Sequence, residues 1–334
     1  METLIRAATT TDRALFAAAL GGQALDPRAL DASPADAHWL LLATGEPAAR
    51  CSLWWRTTPA YGAHRVGLIG HYAARDAASA ARLLRHACDE LRRHGCTLAI
   101  GPMDGNTYQR YRFITERGDA PPFLLEPDNP DDWPGHFSAS GFAPLARYCS
   151  VLQERVAPPD ERLRRIAARQ ERGGIRIRTL DLARFDADVR ALYGVVAASF
   201  ARNLLHTPIS EEAFVAQQSA LRPYVVPGLV LLAEREGEAV GMLFGLPDWL
   251  EGHRAPRVTT AILKTVAVRP EYAGRGLVAT LLARAMEAAL ELGYTRVIHA
   301  LMHEDNRSLR LSQLYGSAVL RRYTLFAREL GAAG

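Results

Sequence analysis

Gly274 and Gly276 are separated by one residue. They follow Arg269-Pro270 and precede Leu277, Leu281, Leu282, Ala285, Ala289 and Leu292, apolar positions that recur at helical spacing. Two glycines at the mouth of a helix can hold an anion. The first helical turn has N–H groups with no partner inside the helix, and the helix dipole adds positive potential there. A side chain in the turn would keep a phosphate away from the backbone. The segment Ala273, Gly274, Arg275, Gly276, Leu277, Val278 is therefore predicted to bind a phosphorylated ligand. It is too compact for a Walker loop, which ends in Gly-Lys-Ser/Thr, and it lacks the three-glycine dinucleotide fingerprint.

The elements that position this turn follow from the pattern around it. A β-branched strand, Ala261 to Val268, leads into the turn and a long amphipathic helix leads out. Thr295 to Met302 reads as the next strand, and Asp305 or Asn306 caps a further helix through Leu309–Tyr315 that ends at Gly316. Arg321 to Ala327 is the last strand.

Strand, glycine turn, helix, strand, Asn-capped helix, glycine and strand, in this order, resemble the core of the GCN5-related N-acetyltransferase (GNAT) superfamily. The glycine turn resembles that family's pyrophosphate loop, with two departures. Ala273 stands where the family has Arg or Gln, and Val278 where it has Gly or Ala. The resemblance covers about residues 175 to 330 and implies a mixed α/β sheet that binds acetyl-CoA or another acyl-CoA. It also implies acyl transfer to an amine of a small molecule or peptide. Backbone amides of Val266, Ala267 and Val268 would hold the pantetheine arm and polarise the thioester, and Asn306 would lie beside the coenzyme. Tyr315, with Ser312 as substitute, would return a proton to the departing thiolate.

No carboxylate lies in the strand before the turn, so the base is sought elsewhere. His206, Asp248, His299 and His303 are the candidates, with Asn203, His206 and Asp248 in the expected acceptor pocket. For each histidine a surface or packing role is the competing reading. His299 and His303, four apart on a strand, are expected on one face about 13 Å apart, too far to share a metal. No metal site is expected. Lys264, the only lysine, reads as an edge-facing charge that blunts aggregation, with a ligand phosphate as the alternative.

The first half repeats the second. Leu83-Leu84, Ala87, Gly95, Thr97 and Ile100 align without gaps to Leu281-Leu282, Ala285, Gly293, Thr295 and Ile298. Gly141, Leu145, Arg147-Tyr148 and Glu154 likewise match Gly316, Leu320, Arg322-Tyr323 and Glu329. A repeat of this length is a domain duplication. The expected division is a degenerate GNAT-like domain at 1–156, a linker helix at 157–174 and a GNAT domain at 175–334, two tandem copies of one fold. The first copy has Ala73-Ala-Arg-Asp-Ala-Ala-Ser79 opposite the glycine turn, with no glycine, and a long insertion from Gly101 to Pro130. That insertion is too apolar for a simple tether and is expected to cover the degenerate groove or to reach the second domain. The Gly-Pro-Met segment and Phe200-x-x-Asn203…His206 are also similar to a group of bacterial two-domain members.

Composition sets the outer bounds. No apolar run reaches the length of a membrane span and Met1–Arg6 does not read as a signal peptide, so a cytoplasmic, membrane-free protein is expected. The four cysteines all lie in the first half, without metal-ligand spacing, and read as reduced buried thiols. The net charge of +4 comes from arginines scattered among 36 carboxylates, without the interleaved aromatics of a nucleic-acid surface. Two alternatives stay open at this point: a non-catalytic protein that binds CoA or a metabolite, and an aminoacyl or peptidyl transferase of the same fold. Oligomeric state is not legible.

Overall fold

Strands and helices follow the same order up to β5 in the first half and β12 in the second half of this computed structural model, which describes residues 2–305 and 317–331. The first half comprises β1 (Glu2–Arg6), α1 (Thr10–Ala17), α2 (Pro27–Ala32), β2 (Ala37–Ala43), β3 (Glu46–Trp54), β4 (Val66–Ala74), α3 (Ala77–Arg93), β5 (Leu98–Gly101), β6 (Phe113–Glu116), α4 (Trp133–Ala139) and β7 (Ala143–Gln153). Helix α5 (Glu161–Arg172), capped by Asp160, connects the halves. The second half comprises β8 (Arg176–Thr179), α6 (Phe185–Phe200), α7 (Glu211–Ser219), β9 (Val230–Arg235), β10 (Glu238–Pro247), β11 (Thr260–Val268), α8 (Leu277–Glu291), β12 (Arg296–His303) and β13 (Ala318–Glu329).

Among the described residues these strands form one 13-stranded sheet. Its order is β1-β2-β3-β4-β5-β13-β7-β12-β11-β10-β9-β8, with β6 paired to β13. The counterparts identified by the repeat, β7 and β13, have changed places. β13 pairs with β5 of the first copy, from Phe326↔Gly101 to Glu329↔Leu98, and β7 pairs with β12 of the second. The two exchanged strands also pair with each other along most of their length. Each copy therefore completes the sheet of the other, and neither β5 nor β12 is left as an open edge.

The repeated leucines bury as their spacing requires. Leu83, Leu84 and Ala87 of α3 and Leu281 and Ala285 of α8 are fully buried, on cores built around the same face of the sheet. On the other face of the second half, α6 packs Val189, Leu192 and Val196 against Val230, Leu232, Met242 and Ala267.

The insertion reaches across to the second half. Glu126 and Arg321 form an ion pair with both side chains wholly buried, and the Tyr323 hydroxyl donates to the same carboxylate. Arg321 also donates to the carbonyls of Arg117, Ala120 and Pro121. The Leu124 N–H donates to Asp248 at 2.9 Å. A buried pair of this kind is strongly destabilising to break from one side, so the insertion is locked to β13 and β10.

Two expectations change. Lys264 is not at an edge: β11 lies between β10 and β12, and Lys264 is the extra residue of a bulge opposite Phe244 and Gly245. His299 and His303 do not share a face, because an extra residue near Leu301, which has a φ of 59°, breaks the alternation of β12.

The exchange makes the halves interdependent. A fragment of residues 1–156 lacks the strand that covers β5 and is expected to be unfolded or aggregated. Coexpression with 157–334 is expected to restore a 1:1 complex with a cooperative melt. Size-exclusion chromatography and calorimetry check this, and a stable monomeric 1–156 fragment would contradict it.

Candidate functional site

The two copies treat the same pair of elements differently. β11 and β12 pair in parallel only from Thr260↔Arg296 to Leu263↔His299, then part. From Lys264 to Val268, β11 keeps β10 on one side and has no ladder to β12 on the other. Beyond it, Pro270–Tyr272 forms a short 3-10 turn, and Gly276 begins α8 with a φ of 94°. A residue with a Cβ is strained at such an angle, and Gly276 supplies no side chain to cap the helix.

In the first copy, β4 and β5 pair only from Val66↔Leu98 to Leu68↔Ile100, but the gap beyond is filled. The chain leaving β5 turns back, so that the Met103 N–H bonds the Ile69 carbonyl and Asp104 accepts the His71 N–H at 2.6 Å. Asp76 caps α3 by accepting the Ser79 N–H at 2.8 Å. A carboxylate of the chain itself thus sits at the helix N-terminus and at the parted strand of the first copy, and among the described residues of the second copy no side chain caps α8. The first copy has no room for an anionic ligand there.

Beside the open turn lies a cavity of about 1010 Å³. Val266, Val268, Ala273, Gly274, Gly276, Leu277 and Val278 line one side, and Asn203 and Phe200 at the end of α6 line another. The remaining wall was not legible in the sequence. It is the connector, from Gln153 and Arg155 through Pro158 to Arg162, Leu163 and Ile166 of α5. The apolar stripe of Leu163, Ile166 and Ala167 showed that α5 packs on something, but no local signal named the glycine turn as its partner.

The other predicted residues are placed differently. Ala267 is buried against α6, and the Arg275 carbonyl accepts a hydrogen bond from the Gln170 side chain. His206 stands against Tyr108 of the first copy, with the hydroxyl 3.3 Å from Nε2, and burial lowers its pKa. Burial thus favours the neutral imidazole, the form able to accept a proton. Asp248 does not line the cavity, since its carboxylate holds Leu124 and lies 3.5 Å from Arg254. His299 is buried, which pushes its pKa down to about 4. His303 packs edge-on to Tyr148. Asn306, Ser312 and Tyr315 lie outside the described residues.

A parallel strand pair that parts beside a helix N-terminus is built twice in one sheet, with a glycine turn in the second copy, and this is a tandem acyltransferase fold. Residues 199–316 match the Acetyltransferase (GNAT) family, a class of acyltransferases. The whole chain superposes on a GCN5-related N-acetyltransferase from Sphaerobacter thermophilus with a TM-score of 0.52 and 18% identity, covering 99% of this chain and 97% of that one. It also superposes on a tandem GNAT protein from the clavulanic acid biosynthesis pathway with a TM-score of 0.53 and 11% identity, over 100% of both chains. A bacterial ceramide synthase of Caulobacter vibrioides is 23% identical over 289 residues, 79% of this chain and 75% of that protein. Among the described residues no helix is long and apolar enough to cross a membrane.

Lys264 yields a pH test of the interior beside this site. Its ammonium donates to the Leu125 carbonyl at 3.3 Å, and burial, with Arg112 adding repulsion, pushes its pKa down to about 8. The unfolded chain, with a lysine near about 10.4, then binds more protons between about pH 8 and 10.4, so stability rises with pH across that window. Lys264→Met is expected to be more stable than the parent at pH 7 by about 1–3 kcal/mol, at about 1.4 kcal/mol per pKa unit. The advantage should shrink towards pH 10. Chemical denaturation at both pH values measures it, and a pH-independent difference would show that Lys264 titrates normally.

Proposed function

We propose that the second copy binds acyl-CoA, with acetyl-CoA as the simplest donor, and transfers the acyl group to an amine. One observation carries this: α8 begins at an uncapped glycine facing a large cavity, whereas its counterpart α3 is closed by its own aspartate. Open amides and a helix dipole favour a pyrophosphate, and the parted edge of β11 offers backbone groups to an extended pantetheine arm.

In the proposed reaction the acceptor nitrogen forms a bond to the thioester carbon, and the carbon–sulfur bond breaks after a tetrahedral adduct. The backbone at Val266–Val268 polarises the carbonyl. His206 receives the proton lost by the ammonium, directly or through water, and Tyr315, with Ser312 as substitute, returns one to the thiolate. Direct attack is favoured over a covalent enzyme intermediate because all four cysteines, Cys51, Cys88, Cys96 and Cys149, lie in the first half and are buried. Asn203 at the cavity wall and His206 beside Tyr108 support an acceptor site that both copies help to build. The likeness to a bacterial ceramide synthase favours including long-chain amino alcohols among the acceptors tested, beside small amines and peptides.

Gly274 offers a cleaner probe of the donor site than Gly276. A Cβ at Gly276 would meet Ile166 at 2.7 Å, whereas one at Gly274 would meet nothing within 4 Å. Gly274 has a φ of 74°, a conformation that Asp tolerates better than most residues, at about 1 kcal/mol. Gly274→Asp is expected to weaken acetyl-CoA binding at least about tenfold by placing a carboxylate beside the pyrophosphate, with little loss of melting temperature. The readout is the ligand-dependent rise in melting temperature. Unchanged affinity would remove the assignment.

Tyr315→Phe keeps the ring and deletes the hydroxyl. If Tyr315 is the acid, kcat falls by about 100-fold or more while CoA affinity holds. Full activity in that variant would shift the role to Ser312 or to solvent.

A further inference from the structure

We infer that the connector helix α5 is part of the donor site and that its arginine stripe, Arg162, Arg165 and Arg169, receives phosphate of the acyl-CoA nucleotide. The inference rests on the acyl-CoA reading of the groove and adds a wall to it.

The helix is fixed against the glycine turn. A Cβ at Gly276 would meet the Ile166 side chain, the Gln170 side chain donates to the Arg275 carbonyl, and Glu171 pairs with Arg284 of α8. At about 100° per residue, positions 162, 165, 166 and 169 fall within one arc of roughly 100°, with Arg164 on the opposite side. Arg162, Arg165, Ile166 and Arg169 line a second hollow of about 520 Å³, which shares Arg162 and Ile166 with the main cavity. Arg162 and Ile166 thus line both spaces.

The charges on this stripe are largely uncommitted. Glu161 pairs with Arg165 and Glu171 with Arg284, but among the described residues Arg162 and Arg169 have no carboxylate partner. Asp160, which also lines the cavity, is held as the cap of α5 by the Leu163 N–H. Uncommitted guanidiniums on a fixed helix suit a phosphate, which they grip through two parallel N–H bonds. The turn itself needs such help. Ala273 contributes no side-chain donor, and backbone amides with a half-charge dipole face a ligand carrying a pyrophosphate and a 3′-phosphate.

The test uses the full-length protein and titration calorimetry with CoA and with dephospho-CoA, which lacks the 3′-phosphate. The double variant Arg162→Gln/Arg169→Gln is expected to bind CoA about 10- to 100-fold more weakly, with an unchanged melting temperature in the absence of ligand. Arg164→Gln, with the same charge change on the opposite side of the helix, is expected to bind as the parent does. If the stripe reads the 3′-phosphate, the parent's preference for CoA over dephospho-CoA collapses in the double variant. If it reads the pyrophosphate, both ligands weaken together, and either result supports the inference. Equal CoA affinity in parent and double variant would overturn it while leaving the groove assignment intact. A parent that binds neither ligand would overturn both.

Discussion

The exchange of β7 and β13 sets the geometry on which the rest of the molecule depends. Because β7 finishes against β12, the chain leaves the first copy already inside the second copy's territory. The Val156 N–H bonds the Thr295 carbonyl, and Gln153 and Arg155 face the cavity. A connector starting there must cross the glycine turn to reach β8, and α5 does so. Had each copy kept its own last strand, the linker would have begun next to β5, far from the turn. The same exchange brings Arg321 and Tyr323 under the insertion of the first copy, where Glu126 binds both.

Closure of one copy and opening of the other follow from how backbone N–H groups are satisfied. A helix N-terminus and a splayed strand edge each carry donors that need an acceptor. The first copy supplies Asp76 and Asp104 from its own chain. The second has glycines at the corresponding turn, and among the described residues no side chain caps α8. Duplication thus yields one half whose helix N-terminus is closed by its own aspartate and one half with an uncapped helix beside a cavity. The closed half is not inert, since Tyr108 meets His206 and the Tyr108 carbonyl accepts from Gln217 of α7.

Burial shapes the chemistry available around the groove. His206 and His299 both have lowered pKa values because the imidazolium form is desolvated, and His206 stands against Tyr108 of the first copy. Lys264 lies in the sheet interior under Leu125, beside Arg112, whose guanidinium is sandwiched 4.0 Å from the Tyr111 ring and 4.1 Å from the Tyr148 ring. The insertion is what desolvates this region.

The repeat, the order of strands and helices, and the glycine turn were legible in the sequence because each depends on near neighbours. Helical spacing, a helix cap and a turn glycine are local constraints on a few consecutive residues. Lys264 was misjudged because a single bulge moves a residue from an expected edge to the interior, and one extra residue near Leu301 reversed the relation of His299 to His303 in the same way. Which last strand completes which sheet, and therefore that a linker helix walls the cavity, was decided by tertiary structure alone. β7 and β13 carry the same repeat pattern, so the sequence does not show which of them pairs with β5 and which with β12. Only the packing of the insertion on β13 and of α5 on α8 distinguishes the two arrangements, and those contacts join residues 100 or more positions apart.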